Sequence, residues 1–163
     1  MTNKMNTFKL TAFFRFYAFL KIPLLWWVQP TILEAAPHRT ELKIPLSRKT
    51  KNHLGTMYFG ALAMGAEAAV AIKAIQAIRE SQKPVDFIFK DFQAQFLKRA
   101  EGDVHFVCEQ GDSVIALVDK CLLSEERETQ SFQSYAIVPS VDPNAKIAEF
   151  TITLSVKKRR KKS

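Results

Sequence analysis

The chain has 163 residues, enough for one domain with a true hydrophobic core, and its 47% hydrophobic and 25% charged content excludes a disordered chain. The formal net charge is +8, but six of the positive charges lie in the last seven residues, KKRRKKS, so the body carries only about +2 (8 − 6). That body shows no basic stripe interleaved with aromatics and no helix-turn-helix, zinc-finger or RNA-recognition pattern, which argues against specific nucleic-acid binding.

In chain order, KLTAFFRFYAFLKIPLLWWV is apolar enough to suggest a signal or a span, yet Arg15 and Lys21 interrupt it and no small-residue cleavage pattern follows. It reads as an amphipathic helix over about residues 5 to 20, a break at Pro23, and a short segment carrying Trp26 and Trp27. This N-terminal extension, residues 1 to 30, either covers part of the core or a pocket mouth, or touches a membrane surface. The basic tail, residues 157 to 163, is a solvated end or a weak attractor of anionic membrane or nucleic acid.

TELKIPLSR alternates apolar and polar residues and predicts a strand at about 41 to 48. After the polar turn RKTKNH, small residues from Gly55 to about Glu80 predict a long helix, apolar nearly all round and therefore buried. Period two returns from Val85 to Leu97, with a bulge expected near Asp91. Glu101-Gly102-Asp103 makes a turn and VHFVCEQ a strand. GDSVIALVDKCLLSEERE has helical spacing, with Asp112 placed to cap it. Strands at about 131 to 140 and 147 to 158 close the chain, on either side of the turn residues Asp142, Pro143 and Asn144. Five strands and one long buried helix are best reconciled as an α+β domain, an antiparallel sheet wrapped around that helix.

Cys108 and Cys121 lack CxxC spacing, which predicts free thiols and a reducing cytoplasm. His38, His53 and His105 form no metal-ligand pattern, so no metal centre is expected. The chemistry concentrates instead in NHLGTMYFGALAMGAEAA, Asn52 to Ala69. Gly55 and Gly60 flank the start of the long helix, where unpaired N–H groups and the positive dipole end can hold an oxygen as it gains negative charge. Glu67 lies about two turns farther on, a carboxylate on an apolar helix. It is either a general base or nucleophile with a raised pKa, or part of a buried structural network.

This element order and segment resemble the hotdog fold and, within it, thioesterases of the phenylacetyl-CoA type, closest to a branch labelled only as a domain of unknown function. The resemblance covers about Thr31 to Val156. The family motif runs Asn, two residues, Gly, two residues, His-Gly-Gly and then a helical acid, matched here by Asn52, Gly55, Tyr58-Phe59-Gly60 and Glu67. FLKRAEGD, Phe96 to Asp103, matches a strand-to-turn segment in which relatives usually have proline where Arg99 stands.

The resemblance implies an acyl-CoA or acyl-carrier thioesterase acting as a homodimer or a dimer of dimers, with coenzyme A as part of the substrate and no separate cofactor. By it, the Phe59 N–H is the oxyanion donor, Gly60 permits close approach, and Asn52 orients water or carbonyl from the neighbouring subunit. Met57, Met64 and Phe89 line the acyl tunnel, while Lys98 and Arg99 meet the phosphates. Tyr58 replaces a frequent His and offers a hydroxyl in place of an imidazole. Pro84 stands near the place of a hydroxyl residue common in relatives. The alternative is a hotdog module that binds acyl-CoA or lipid without turnover. A hotdog hydratase is disfavoured, because DPNA at Asp142 to Ala145 lacks the histidine of the Asp-x-Asn-Pro-x-His arrangement.

Overall fold

The computed structural model describes residues 6–159. The chain opens with α1 (Thr7–Lys21), capped by the Asn6 side chain, which accepts from Phe8 N at 3.1 Å. α2 (Pro23–Trp27) follows with proline at its first position, where no N–H is needed. Then come β1 (Thr31–Ala35), β2 (Thr40–Ile44), α3 (Phe59–Ser81), β3 (Val85–Phe96), β4 (Val104–Cys108), α4 (Gly111–Leu123), β5 (Glu128–Val138) and β6 (Asp142–Lys158). The six strands form one sheet in the order β1-β2-β4-β5-β6-β3, antiparallel at every step. α3 therefore carries the chain from one side of the sheet to its far edge.

α3 is long and apolar enough to cross a membrane by composition alone, but here the sheet wraps it. Its buried face is built from Ala61, Gly65, Ala66, Ala68, Ala69 and Ala74, so strand side chains approach the helix axis closely. Phe106 of β4 makes the closest approach: a Cβ on Gly65 would lie 2.3 Å from its ring. Phe106 and Phe132 are fully buried, and Phe150 lies beside Phe92, Phe96 and Phe106 with centroids 5.8 to 6.4 Å apart. Phe106, Phe132 and Phe150 fill the space that alanine and glycine leave open.

α1 packs on the open side of this half-wrapped helix. Leu10, Phe14 and Ala18 enter the core, and Thr11 Oγ1 accepts from Ile32 N at 3.0 Å. Arg15 donates to Pro30 O, Gln29 O and Thr31 Oγ1 at 2.8 to 3.1 Å, tying α1 to the start of β1. The expected amphipathic pattern is not found, since Phe8, Phe16, Phe19 and Leu20 remain exposed on the outward face.

Other differences from the sequence reading have local causes. β1 was not expected: five residues between Pro30 and Pro37 are too few to show period two. β2 ends at Ile44 because Pro45 lacks an N–H and the chain turns there, with Pro45 O accepting from Thr50 Oγ1 at 2.6 Å. α3 begins at Phe59 rather than Gly55, since Asn52 to Met57 form a closed turn in which Gly55 takes φ 78°. Asp112 lies in the first turn of α4, and Gln110 occupies the cap. The bulge near Asp91 is present as a register shift between Phe89 and Asp91.

Candidate functional site

The turn that precedes α3 is organised by Asn52. Its Oδ1 accepts from Leu54 N at 2.9 Å and Thr56 N at 3.2 Å, and its Nδ2 donates to Thr56 Oγ1 at 3.0 Å. Asn52 thus behaves as an Asx turn that fixes where the helix starts. Met57 N then donates to Ala100 O at 2.9 Å and Tyr58 N to Thr50 O at 2.7 Å, anchoring the entry on two sides. Tyr58 takes the cap position in an extended conformation without a side-chain cap.

The next two donors, Phe59 N–H and Gly60 N–H, make no hydrogen bond among the described residues. Helix starts leave such groups aimed outward at the positive end of the dipole. The Tyr58 ring lies over Gly60, whose missing Cβ would otherwise fall 2.5 Å from Tyr58 Cε1. Tyr58 and Phe59 stack at 4.8 Å between centroids and are both exposed, leaving the helix end open to an incoming group.

Glu67 lies on the wall of a cavity of about 660 Å³ between α1, α3 and the β3 edge of the sheet. Around it stand Tyr17, Ile22, Met64, Phe87, Phe89 and Phe92, with Asp86 and Arg159 paired on the same wall. The Glu67 carboxylate has no hydrogen bond or ion pair among the described residues. Burial with no compensating partner pushes its pKa above the ordinary glutamate value. The structural network offered as an alternative for Glu67 is therefore not the arrangement found.

A raised folded-state pKa has a definite consequence for stability. Between the ordinary glutamate pKa and its own, folded Glu67 holds a proton that the unfolded chain has released, so stability falls as pH rises through that window. The urea midpoint of the wild type is expected to drop over that range relative to Glu67→Gln, whose curve should lack this component. Parallel curves would show that Glu67 ionises freely.

The other candidates are dispersed. Met64 and Phe89 line the Glu67 cavity, whereas Met57 is sealed in the core at 3% exposure and lines neither cavity. Gly55 and His53 sit in the exposed turn; Lys98 and Arg99 are exposed in the segment after β3 and line neither cavity. A second cleft, about 820 Å³, opens elsewhere among polar side chains such as Gln93, Gln133 and Thr151, and holds none of the candidates. Tyr17, Ile22 and Phe87 are lining residues that sequence reasoning did not single out, because only the fold brings the N-terminal hairpin against β3. Among the described residues no three His, Cys, Asp or Glu side chains converge as a metal-binding group.

Along α3, Glu67 is eight residues from Phe59, roughly 12 Å at the helical rise. Glu67 thus lies about two turns from the helix end that carries the free donors.

The family model described as a domain of unknown function, DUF4442, matches residues 11–156. A proposed thioesterase from Shewanella oneidensis is similar in structure, with TM-score 0.76 and 12% identity over 91% of this chain and 98% of that one. A Chlorobaculum tepidum protein of unknown function gives TM-score 0.78 at 12% identity, covering 94% and 97%. A Haemophilus influenzae thioesterase gives 0.66 at 14% identity, covering 96% and 93%. No protein of curated function matches. At these identities the likeness establishes the hotdog fold.

Proposed function

The chain belongs to the DUF4442 family and has the hotdog fold, and from that premise we propose that it is an acyl-CoA or acyl-carrier thioesterase working as a homodimer. The observation that carries this reading is the Glu67 carboxylate on the wall of an apolar cavity, without a partner among the described residues. In the proposed step Glu67 takes a proton from water and the hydroxide adds to the thioester carbonyl. The oxygen that gains charge is held by Phe59 N–H and Gly60 N–H of the second subunit. The C–S bond then breaks and the thiolate receives the proton from Glu67. Direct attack by Glu67, forming an anhydride that water opens, uses the same residues. Met64, Phe87 and Phe89 offer the acyl group an apolar wall, and Lys98 and Arg99 offer cations to the coenzyme A phosphates.

The reading takes the oxyanion donors from a second copy, and the edge of the sheet supports one. β3 is a twelve-residue edge strand with Ile88, Phe92 and Phe96 exposed, a length and apolarity that solitary edges rarely keep. Pairing through β3 in an antiparallel dimer would cover it. Ile88→Asp is expected to shift the particle from dimer to monomer in analytical ultracentrifugation, and to lower hydrolysis with it. A variant that stays dimeric would remove β3 as the contact.

The binding-only reading draws on one specific observation, that three hydrogen bonds already commit Asn52 to its own turn. Release of free thiol from short, long and aromatic acyl-CoA thioesters separates the two. Hydrolysis of one class that Glu67→Ala abolishes while binding persists supports the enzyme. Binding with no thiol release by the wild type supports the carrier.

A further inference from the structure

The outward face of the N-terminal hairpin has no role in the site just described. Phe8, Phe16, Phe19 and Leu20 fall within about a third of the circumference of α1, opposite the residues it buries. Leu24 and Trp26 of α2 extend the same patch, with Trp26 packed edge-on against Phe19 at 5.3 Å. Phe16 is 64% and Leu24 68% exposed, so the patch is apolar surface in contact with solvent. Arg15 holds the hairpin rigidly to β1, so these side chains sit on a fixed platform.

The charge on the hairpin itself is of one sign. The first 33 residues contain no Asp or Glu, while Lys9 lies on the exposed face of α1, Lys21 ends the helix and Lys49 Nζ sits 4.4 Å over the Trp27 ring. Arg159 lines the same cavity as Tyr17 and Ile22, paired there with Asp86.

We propose that the α1–α2 hairpin is a docking surface for anionic lipid bilayers, lying in the interface with Phe16, Leu20, Leu24 and Trp26 among the upper acyl chains and Lys9 and Lys21 at the headgroups. Rigid aromatic and leucine side chains bordered by lysines suit the boundary between headgroup and acyl chain, and each cation gains from a negative surface. A second copy of the chain fits the patch poorly. Face-to-face contact would bring Lys9 and Lys21 of both copies together with no carboxylate in the first 33 residues to neutralise them.

The chain contains two tryptophans, Trp26 and Trp27, and both belong to this hairpin, so tryptophan emission of the full-length protein reports on the patch alone. With vesicles of phosphatidylcholine and phosphatidylglycerol the emission is expected to shift to the blue and to resist acrylamide. Sedimentation should show binding at least about tenfold weaker to phosphatidylcholine alone, and weakening with added salt. Phe16→Ser with Leu20→Ser should lower vesicle affinity by about tenfold or more, with circular dichroism and molecular mass unchanged. Should that pair fail to fold, Leu24→Ser on α2 provides the same comparison. The proposal is overturned if wild-type emission ignores anionic vesicles, if the variants bind as well as the wild type, or if they change oligomeric state, which would assign the patch to a second copy.

Discussion

Glu67→Gln is expected to lower kcat for thioester release by roughly 10²- to 10⁴-fold while acyl-CoA binding survives, because the substitution keeps the shape of the cavity wall and removes the only proton acceptor the mechanism uses. That range corresponds to about 3 to 5 kcal/mol of transition-state stabilisation. Direct nucleophilic attack predicts a loss at least as large, and trapping of an acyl-enzyme in the wild type alone would separate the two routes. A Glu67→Gln protein that retains most of its turnover would leave the carboxylate without a catalytic part.

The other half of the machinery can be removed without touching a side chain's chemistry. Phe59→Pro deletes the first N–H of α3 at a position where proline is favoured, and Tyr58 before it already has φ −65° and ψ 138°, the extended conformation that a following proline requires. The fold should persist, and turnover should fall by about 10²- to 10³-fold, the usual cost of one oxyanion donor. In the dimeric mechanism Phe59 and Glu67 of one chain serve different thioesters, so the two lesions should complement. Co-expression of Phe59→Pro with Glu67→Gln chains gives mixed dimers with one intact site, and random assortment should restore about a quarter of wild-type activity. Absence of complementation, with mixed dimers demonstrated, would place both groups in separate functions.

How far the sequence revealed this arrangement differs between the fold and the site. The wrap of sheet around helix was legible because a run of alanine and glycine with few polar residues reads as a buried helix, and the flanking period-two stretches had to cover it. Glu67 stood out for the same reason, as a charge in an apolar run. Strand β1 was invisible because two prolines leave it five residues. The cavity was legible only in part: Met64 and Phe89 sit on α3 and β3, whose inward faces follow from periodicity. Tyr17 and Ile22 reach it through the packing of the N-terminal hairpin on α3, a long-range contact that no local pattern encodes. Met57 misled because, two residues short of the helix, its side chain turns inward to the core while its backbone bonds Ala100.

Gly65→Ala tests the packing that holds the site in place. An added Cβ would fall 2.3 to 2.5 Å from three carbons of the Phe106 ring, and that ring is fully buried, with Phe150 beside it. The ring cannot swing into solvent, so either the helix backs away from the sheet or Phe106 leaves its rotamer. Such overpacking costs about 1 to 3 kcal/mol or somewhat more. Replacing glycine by alanine inside a helix returns about 1 kcal/mol of propensity. Because the contact is far inside any allowed separation, the clash should dominate, with a net loss near 2 kcal/mol and a fall in Tm of roughly 4 to 8 °C. Phe106→Leu alone should also destabilise, by leaving a void. Together the two changes should recover much of the loss, since the smaller side chain makes room for the new methyl, and the coupling energy should be favourable by at least about 1 kcal/mol. Gly65 lies two residues before Glu67 on α3, so displacement of the helix in the single variant should also raise KM for acyl-CoA. Strict additivity in the thermal melts would mean that Gly65 and Phe106 are not in the contact that shapes this core.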